Sequence, residues 1–217
     1  MRLFTGLDLP DEVIGDLEEL TRRLKPSAPI AWSPPANLHI TTKFIGEWKE
    51  ERLPDLIAAL ASVPPRDPIP VSIRRVGFFP NPHSPRIFWC GVEAPGLAEL
   101  AGDTDAATVA LGIAREERAF SPHLTLARIK DAHALRPVLQ ALREAIAGLD
   151  SLEFGAFHAR SFFLYQSVRK GGGSVYTKLA EFPLTTASRG ATRGGTPKET
   201  SAPGAAGIES RGDVRRE

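Results

Sequence analysis

Apolar positions along this chain recur with two periods, and the switches between them lay out the elements. A period of two marks a strand with one buried face, and recurrence at three and four residues marks a helix. "RLFTGLDL" (2–9) reads as a strand stopped by Pro10. "PDEVIGDLEELTRRLK" (10–25) reads as a helix, with Pro10 and Asp11 at its start and Val13, Leu17, Leu20 and Leu24 on one stripe. "SPPANLHITTKFIG" (33–46) supplies a proline-rich approach and then a strand closed by Gly46. A second helix covers 50–63, with Leu53, Leu56, Ile57 and Leu60 on one stripe. Strands at 69–80 and 85–93 flank "NPHS", a turn.

The second half repeats the logic. A helix at 96–112 precedes the strand "FSPHLTLARIK" (120–130), and another helix follows at 131–149 with Pro137 in its first turns. "FGAFHARSFFLYQSV" (154–168) and "VYTKLAEFPL" (175–184) read as a closing antiparallel hairpin across "RKGGGS". Strands mixed with helices and joined by hairpins predict an α+β fold with antiparallel sheets. From Ala187 onward there is no aromatic residue, and Ile208 and Val214 are the only large aliphatics. Such a segment cannot bury enough apolar surface to offset the entropy of ordering. The expected organisation is one two-lobed domain, 1–186, and a disordered tail, 187–217.

Composition narrows the setting. With 42% hydrophobic and 24% charged residues, the chain has the make-up of a soluble globule. No apolar run approaches the ~18 residues of a membrane span, and the opening "MRLFTGLDLP" is too short and polar for a secretory signal. The single cysteine, Cys90, lies between Trp89 and Gly91 in an apolar run. It leaves no intramolecular disulfide or cysteine-based zinc site and reads as a buried, reduced thiol. Together these features point to the cytoplasm, with no membrane partner. The lack of a coiled-coil pattern favours a monomer.

The net charge of +1 conceals a split. The tail holds six basic and four acidic residues, leaving 21 and 22 in residues 1–186. A protein that grips a long duplex is usually basic. Any nucleic acid met by this domain would therefore have a small footprint.

Two short stretches carry the chemistry: "HITT" (39–42) and "HLTL" (123–126). Strict alternation puts His39, Thr41 and Lys43 on one face of their strand, with Leu38, Ile40, Thr42 and Phe44 on the other. It likewise groups His123, Thr125 and Ala127 against Leu124, Leu126 and Arg128. Two lobes in pseudo-twofold relation would set the imidazoles facing each other. With an ordinary pKa of ~6.5, one imidazole can take a proton from water while the other gives one to a leaving oxygen. The threonine hydroxyls can donate to phosphoryl oxygens as charge builds. Attack on a phosphodiester uses these parts and needs no metal.

Other readings have less support. A lone strand histidine is commonly structural or solvent-facing, and His83, His133 and His158 are read so. A metal site would need a further carboxylate or cysteine, and Glu47 lies beyond Gly46, off the strand. There is no G-x-S-x-G elbow, phosphate-binding G-x-x-x-x-G-K-[ST] loop or Rossmann glycine pattern. Phe44, Phe79, Trp89 and Tyr165 could stack on bases but are read as core.

At these residues the chain resembles the two-histidine phosphoesterase superfamily, defined by paired H-x-T-x motifs. Within it, the chain is similar to the RNA 2′,3′-cyclic phosphodiesterases, also called 2′–5′ RNA ligases. The branch is suggested by "RLFTGLDLP", "PPANLHITTKFIGE", "VGFFPNPHSPRIFWCGV", "FSPHLTLAR" and the closing "FFLYQS…YTKLAEFPL". The resemblance covers about 1–185. It implies a bilobal α+β fold, the motifs facing across a central cleft, and hydrolysis of RNA 3′ ends bearing a cyclic phosphate to 2′-phosphomonoesters, with no cofactor. It implies that His39 is the proton donor to the leaving 3′ oxygen and His123 the base that activates water. Thr41 and Thr125 would hold phosphate oxygens, and Arg128 would add a positive contact, although alternation puts Arg128 on the wrong face. Thr42 departs from the family's aliphatic residue, and its hydroxyl requires a partner. Reversible 2′–5′ ligation, another small cyclic nucleotide substrate, and a non-catalytic RNA-end binding role stay open at this point.

Overall fold

Two antiparallel sheets packed with helices hold the two motif strands next to one another. The computed structural model describes residues 1–130, 136–171 and 173–185. The 187–217 tail, His133 and the first turn of the predicted 131–149 helix lie outside them. Among the described residues the order is β1 (Arg2–Leu7), α1 (Asp11–Leu24), β2 (Ala31–Trp32), β3 (Ile40–Glu47), α2 (Leu53–Ala61), β4 (Ile69–Phe79), β5 (Ile87–Glu93), α3 (Leu97–Val109), β6 (His123–Arg128), α4 (Arg136–Ala147), β7 (Glu153–Ala159), β8 (Ser161–Lys170) and β9 (Gly173–Pro183).

The first sheet has strand order β3-β1-β8-β9 and the second β2-β6-β5-β4-β7. Helices α3 and α2 pack on the first sheet through β3 and β9, α1 packs on β7 of the second, and α4 lies against α1. The helices close the apolar core against the sheets. The stripe Val13, Leu17, Leu20 and Leu24 of α1 is buried as its spacing predicts. Asp11 and Glu12 at its start and Arg22 and Arg23 at its end complement the helix dipole. Among the described residues no helix is long and apolar enough to cross a membrane.

Three features depart from the sequence reading. The lobes are not the halves of the chain: the first sheet combines β1 and β3 with β8 and β9 from the far end. The stretch 154–168 is not one hairpin arm. It breaks at Arg160 into β7, which pairs with β4, and β8, which pairs with β1 and β9. Its apolar pattern runs on without Gly or Pro at the break, so nothing punctuates it. The two-residue β2, which pairs with β6, is too short to show a period.

The most consequential departure lies in the motif strands. Along β1 and β3, Thr5 pairs with Lys43 and Gly6 with Thr41, so Thr42 is an extra residue. Along β5 and β6, Phe88 pairs with Ala127 and Trp89 with Thr125, so Leu126 is an extra residue. Each strand thus carries a β-bulge at the fourth position of its motif, and a bulge reverses which side chains face inward beyond it. Lys43, expected beside His39, instead points into the core, and Phe44, expected inward, is 61% exposed. In β6, Ala127 is fully buried and Arg128 exposed.

Candidate active site

His39 immediately precedes β3, the edge strand of the first sheet, and His123 opens β6 of the second. Strands β3 and β6 approach within 8 Å at several Cα positions, although they are not hydrogen-bonded to each other. Both imidazoles are anchored in the same way. His39 Nδ1 lies 2.7 Å from the carbonyl oxygen of Asn37, and His123 Nδ1 lies 2.8 Å from that of Ser121. A carbonyl can only accept, so each Nδ1 carries the hydrogen and each Nε2 is the basic nitrogen of the neutral ring. These anchors are backbone atoms two residues upstream, which leave no signature in the sequence.

The Thr41 hydroxyl meets His39 Nε2 at 2.9 Å and donates to it when the imidazole is neutral. Thr41 and Thr125 are half-buried and share the faces of their histidines. The Thr125 carbonyl accepts from Ser33 Oγ at 2.8 Å, which ties β6 to the segment following β2. Gly6 permits the close approach of β3 to β1 at this point, because a Cβ there would stand 2.7 Å from the Ile40 carbonyl oxygen.

Burial holds the His39 pKa below the ordinary imidazole value, and the positive charges of His123 and Arg128 push the same way. The bond to Asn37 and the negative charge of Asp8 oppose them. Arg128 is thus close enough to the histidine cleft for its charge to be felt there, despite the face that alternation assigns it; the Leu126 bulge is the cause.

Lys43 is withdrawn from the cleft altogether. Its side chain is 4% exposed, with the ammonium 2.5 Å from Asp105 Oδ1 on α3 and 2.6 Å from the Ala114 carbonyl. Burial works against the charge of Asp105, but the bonds from Lys43 and the Glu116 amide hold its carboxyl below the usual range. The pair clamps β3 to the helix behind it. Thr42, also buried, finds its partner in Thr5, Oγ1 to Oγ1 at 2.8 Å.

Aromatic rings support both histidines. Phe4 lies 4.6 Å from His39 by ring centroids, and Tyr176 meets it edge-on at 5.1 Å. Phe79 meets His123 edge-on at 5.1 Å and packs on Trp89 at 5.0 Å. Tyr165 is buried beneath this layer as expected for core, whereas Phe79 is half-buried against the site and Phe44 is exposed on its face. Cys90 is a buried free thiol whose pKa burial pushes up to about 12. Among the described residues, no group of three or more His, Cys, Asp or Glu side chains is placed to hold a metal ion. His83 and His158 are exposed.

The arrangement has close counterparts. Residues 7–89 and 91–176 match the family model described as LigT like phosphoesterase. A Methanocaldococcus jannaschii protein named RNA 2′,3′-cyclic phosphodiesterase is 30% identical over 182 residues, covering 84% of this chain and 100% of the relative. A Thermus thermophilus protein of the same name is 35% identical over 194 residues, covering 85% and 90%. A crystal structure of a Thermus thermophilus protein superposes with a TM-score of 0.68 at 32% identity, covering 85% of this chain and 98% of that one. Escherichia coli LigT complexed with 3′-AMP superposes at 0.67 and 25% identity with the same coverage. With the family model spanning both motif strands and the fold reproduced in solved relatives, the chain belongs to the LigT-like phosphoesterases.

Proposed function

We propose that this chain hydrolyses RNA 2′,3′-cyclic phosphate ends to 2′-phosphomonoesters by general acid–base catalysis between His39 and His123, without a metal. The observation that carries the reading is the matched anchoring of the two imidazoles through Nδ1, which supports Nε2 as the proton-transfer atom of each. The names of the relatives agree with it.

In the reaction, His123 Nε2 takes a proton from water as the water oxygen attacks phosphorus. The P–O3′ bond breaks, and protonated His39 delivers its Nε2 proton to the departing 3′ oxygen. Thr41, Thr125 and Arg128 bind the non-bridging oxygens and stabilise the charge that accumulates on them. In the free protein burial disfavours the protonated form of His39; the phosphodiester anion offsets the charge of Arg128 and restores it. After turnover the protons exchange through solvent.

The test is a short RNA ending in a 2′,3′-cyclic phosphate, incubated with the full chain and excess EDTA. The expected product is the 2′-phosphate. A 3′-phosphate, or turnover lost to the chelator, would overturn the proposal; joining to a 5′-hydroxyl RNA in place of hydrolysis would favour the ligase direction.

A further inference from the structure

A pocket of about 400 Å³ opens beside His39 on the first sheet, lined among others by Asp8, Asn37, Tyr165, Tyr176 and Lys178. None of these residues has a part in the proton transfers. The Tyr165 hydroxyl is buried without a hydrogen-bond partner, a condition that buried polar groups rarely sustain unless something else supplies the partner. Burial raises that phenol's pKa, and the charge of Asp8 and a hydrogen bond toward it push the same way, although the hydroxyl meets no partner at full bonding geometry. Asp8 Oδ2 accepts from Lys178, whose ammonium also stands 4.5 Å from the Phe163 ring centre. The pocket therefore presents a pinned carboxylate and the ring of Tyr176, with the Tyr165 hydroxyl buried in its wall.

The proposed reaction says what comes here. In-line displacement puts the attacking water beside His123 and the leaving 3′ oxygen beside His39. The ribose bearing that oxygen, and the base it carries, must then lie on the His39 side, over the first sheet. A carboxylate at the wall repels phosphate and accepts from amino groups. We propose that this pocket holds the base of the terminal nucleotide, with Asp8 and Tyr165 selecting a base that presents an amino donor beside a ring acceptor. Asp8 accepts from the exocyclic amine, Tyr165 donates to the adjacent ring nitrogen, and Tyr176 supplies a stacking surface. Cytosine and adenine fit this pattern. Uracil turns carbonyl oxygens toward the carboxylate and is disfavoured.

This subsite rests on the proposed reaction for its placement, so its test uses binding as well as turnover. Cytidine and uridine differ only at this edge. The full chain is titrated calorimetrically with cytidine 2′-monophosphate and uridine 2′-monophosphate, and kcat and KM are measured for the two 2′,3′-cyclic phosphates. The expected result is tighter binding of the cytidine nucleotide by about tenfold, the size of one charged hydrogen bond, with the kinetic preference in KM. Asp8→Asn, at a half-exposed side chain, should bring the two nucleotides within about twofold. Tyr165→Phe should weaken cytidine binding while leaving the thermal midpoint unchanged or higher, because it removes an unsatisfied hydroxyl. Equal binding of the two nucleotides by the unaltered chain, a preference that survives Asp8→Asn, or cytidine binding untouched by Tyr165→Phe would overturn the subsite. Preferential cytidine binding without hydrolysis of either cyclic ester would uphold the subsite and overturn the reaction.

Discussion

Phe44 and Arg128 occupy the same place in two different strands: each follows its motif histidine by five residues and is turned outward by a bulge at the fourth motif position. The lobes thus repeat a backbone device but present different chemistry with it, an exposed aromatic ring on one side and a guanidinium on the other. The guanidinium lies near enough to His39 to affect its charge, which supports its proposed contact with a phosphate held between the two histidines.

Arg128→Ala should therefore lower kcat/KM on a cyclic-phosphate RNA by roughly 10²-fold, the usual cost of losing one donor to a charged transition state. Arg128→Lys should recover only part of it, since an ammonium lacks the forked donor geometry. Steady-state kinetics with the thermal midpoint as control checks both; an exposed arginine has little to contribute to stability.

Thr5 and Thr42 form a buried hydroxyl pair on the core side of the β3 bulge. Thr42→Val should destabilise by about 1–2 kcal/mol, because it leaves the Thr5 hydroxyl buried and unpaired. The double change Thr5→Val with Thr42→Val should recover most of that, as removal of both partners leaves nothing unsatisfied. Urea unfolding of the four chains in a double-mutant cycle measures the coupling. Additive losses would show that the pair is not the relevant bond.

Acid should weaken the fold through His39. Its pKa is lower folded than unfolded, so the unfolded chain binds the extra proton between the two values. The stability is fully present above the unfolded imidazole value of ~6.5 and is lost as pH falls toward the folded one. The thermal midpoint should drop between pH 7.5 and pH 5, and His39→Gln should flatten that slope. Bound phosphate should oppose the effect by stabilising the imidazolium, so its binding should take up a proton, visible as buffer-dependent calorimetric heats.

The boundaries of α1 and the paired His-x-Thr motifs were legible in the sequence because they depend on local spacing and on a repeat. What strict periodicity could not show was each bulge, since an extra residue changes no composition and carries no glycine here. One inserted residue sent Lys43 inward and Phe44 outward, and one turned Arg128 to the exposed face. Nor could the sequence show that β7 and β8, separated by Arg160 alone, serve different sheets. That depends on which partner strand each one meets. Asp8, Tyr165 and Tyr176 converge from three strands or strand ends, and no spacing along the chain brings them together.

The roles of the two histidines separate most directly with a leaving group that departs without a proton. The decisive measurement is kcat/KM for His39→Ala and His123→Ala on a cyclic-phosphate RNA and on bis(4-nitrophenyl) phosphate. On the RNA, both variants should lose about 10²–10⁴-fold, the range of a general acid or base. On the activated ester, His39→Ala should retain most of its rate, because no acid is needed, while His123→Ala should stay impaired. An equal loss for His39→Ala on both substrates, or an undiminished His123→Ala, would contradict the assignment of one histidine to give the proton and the other to take it.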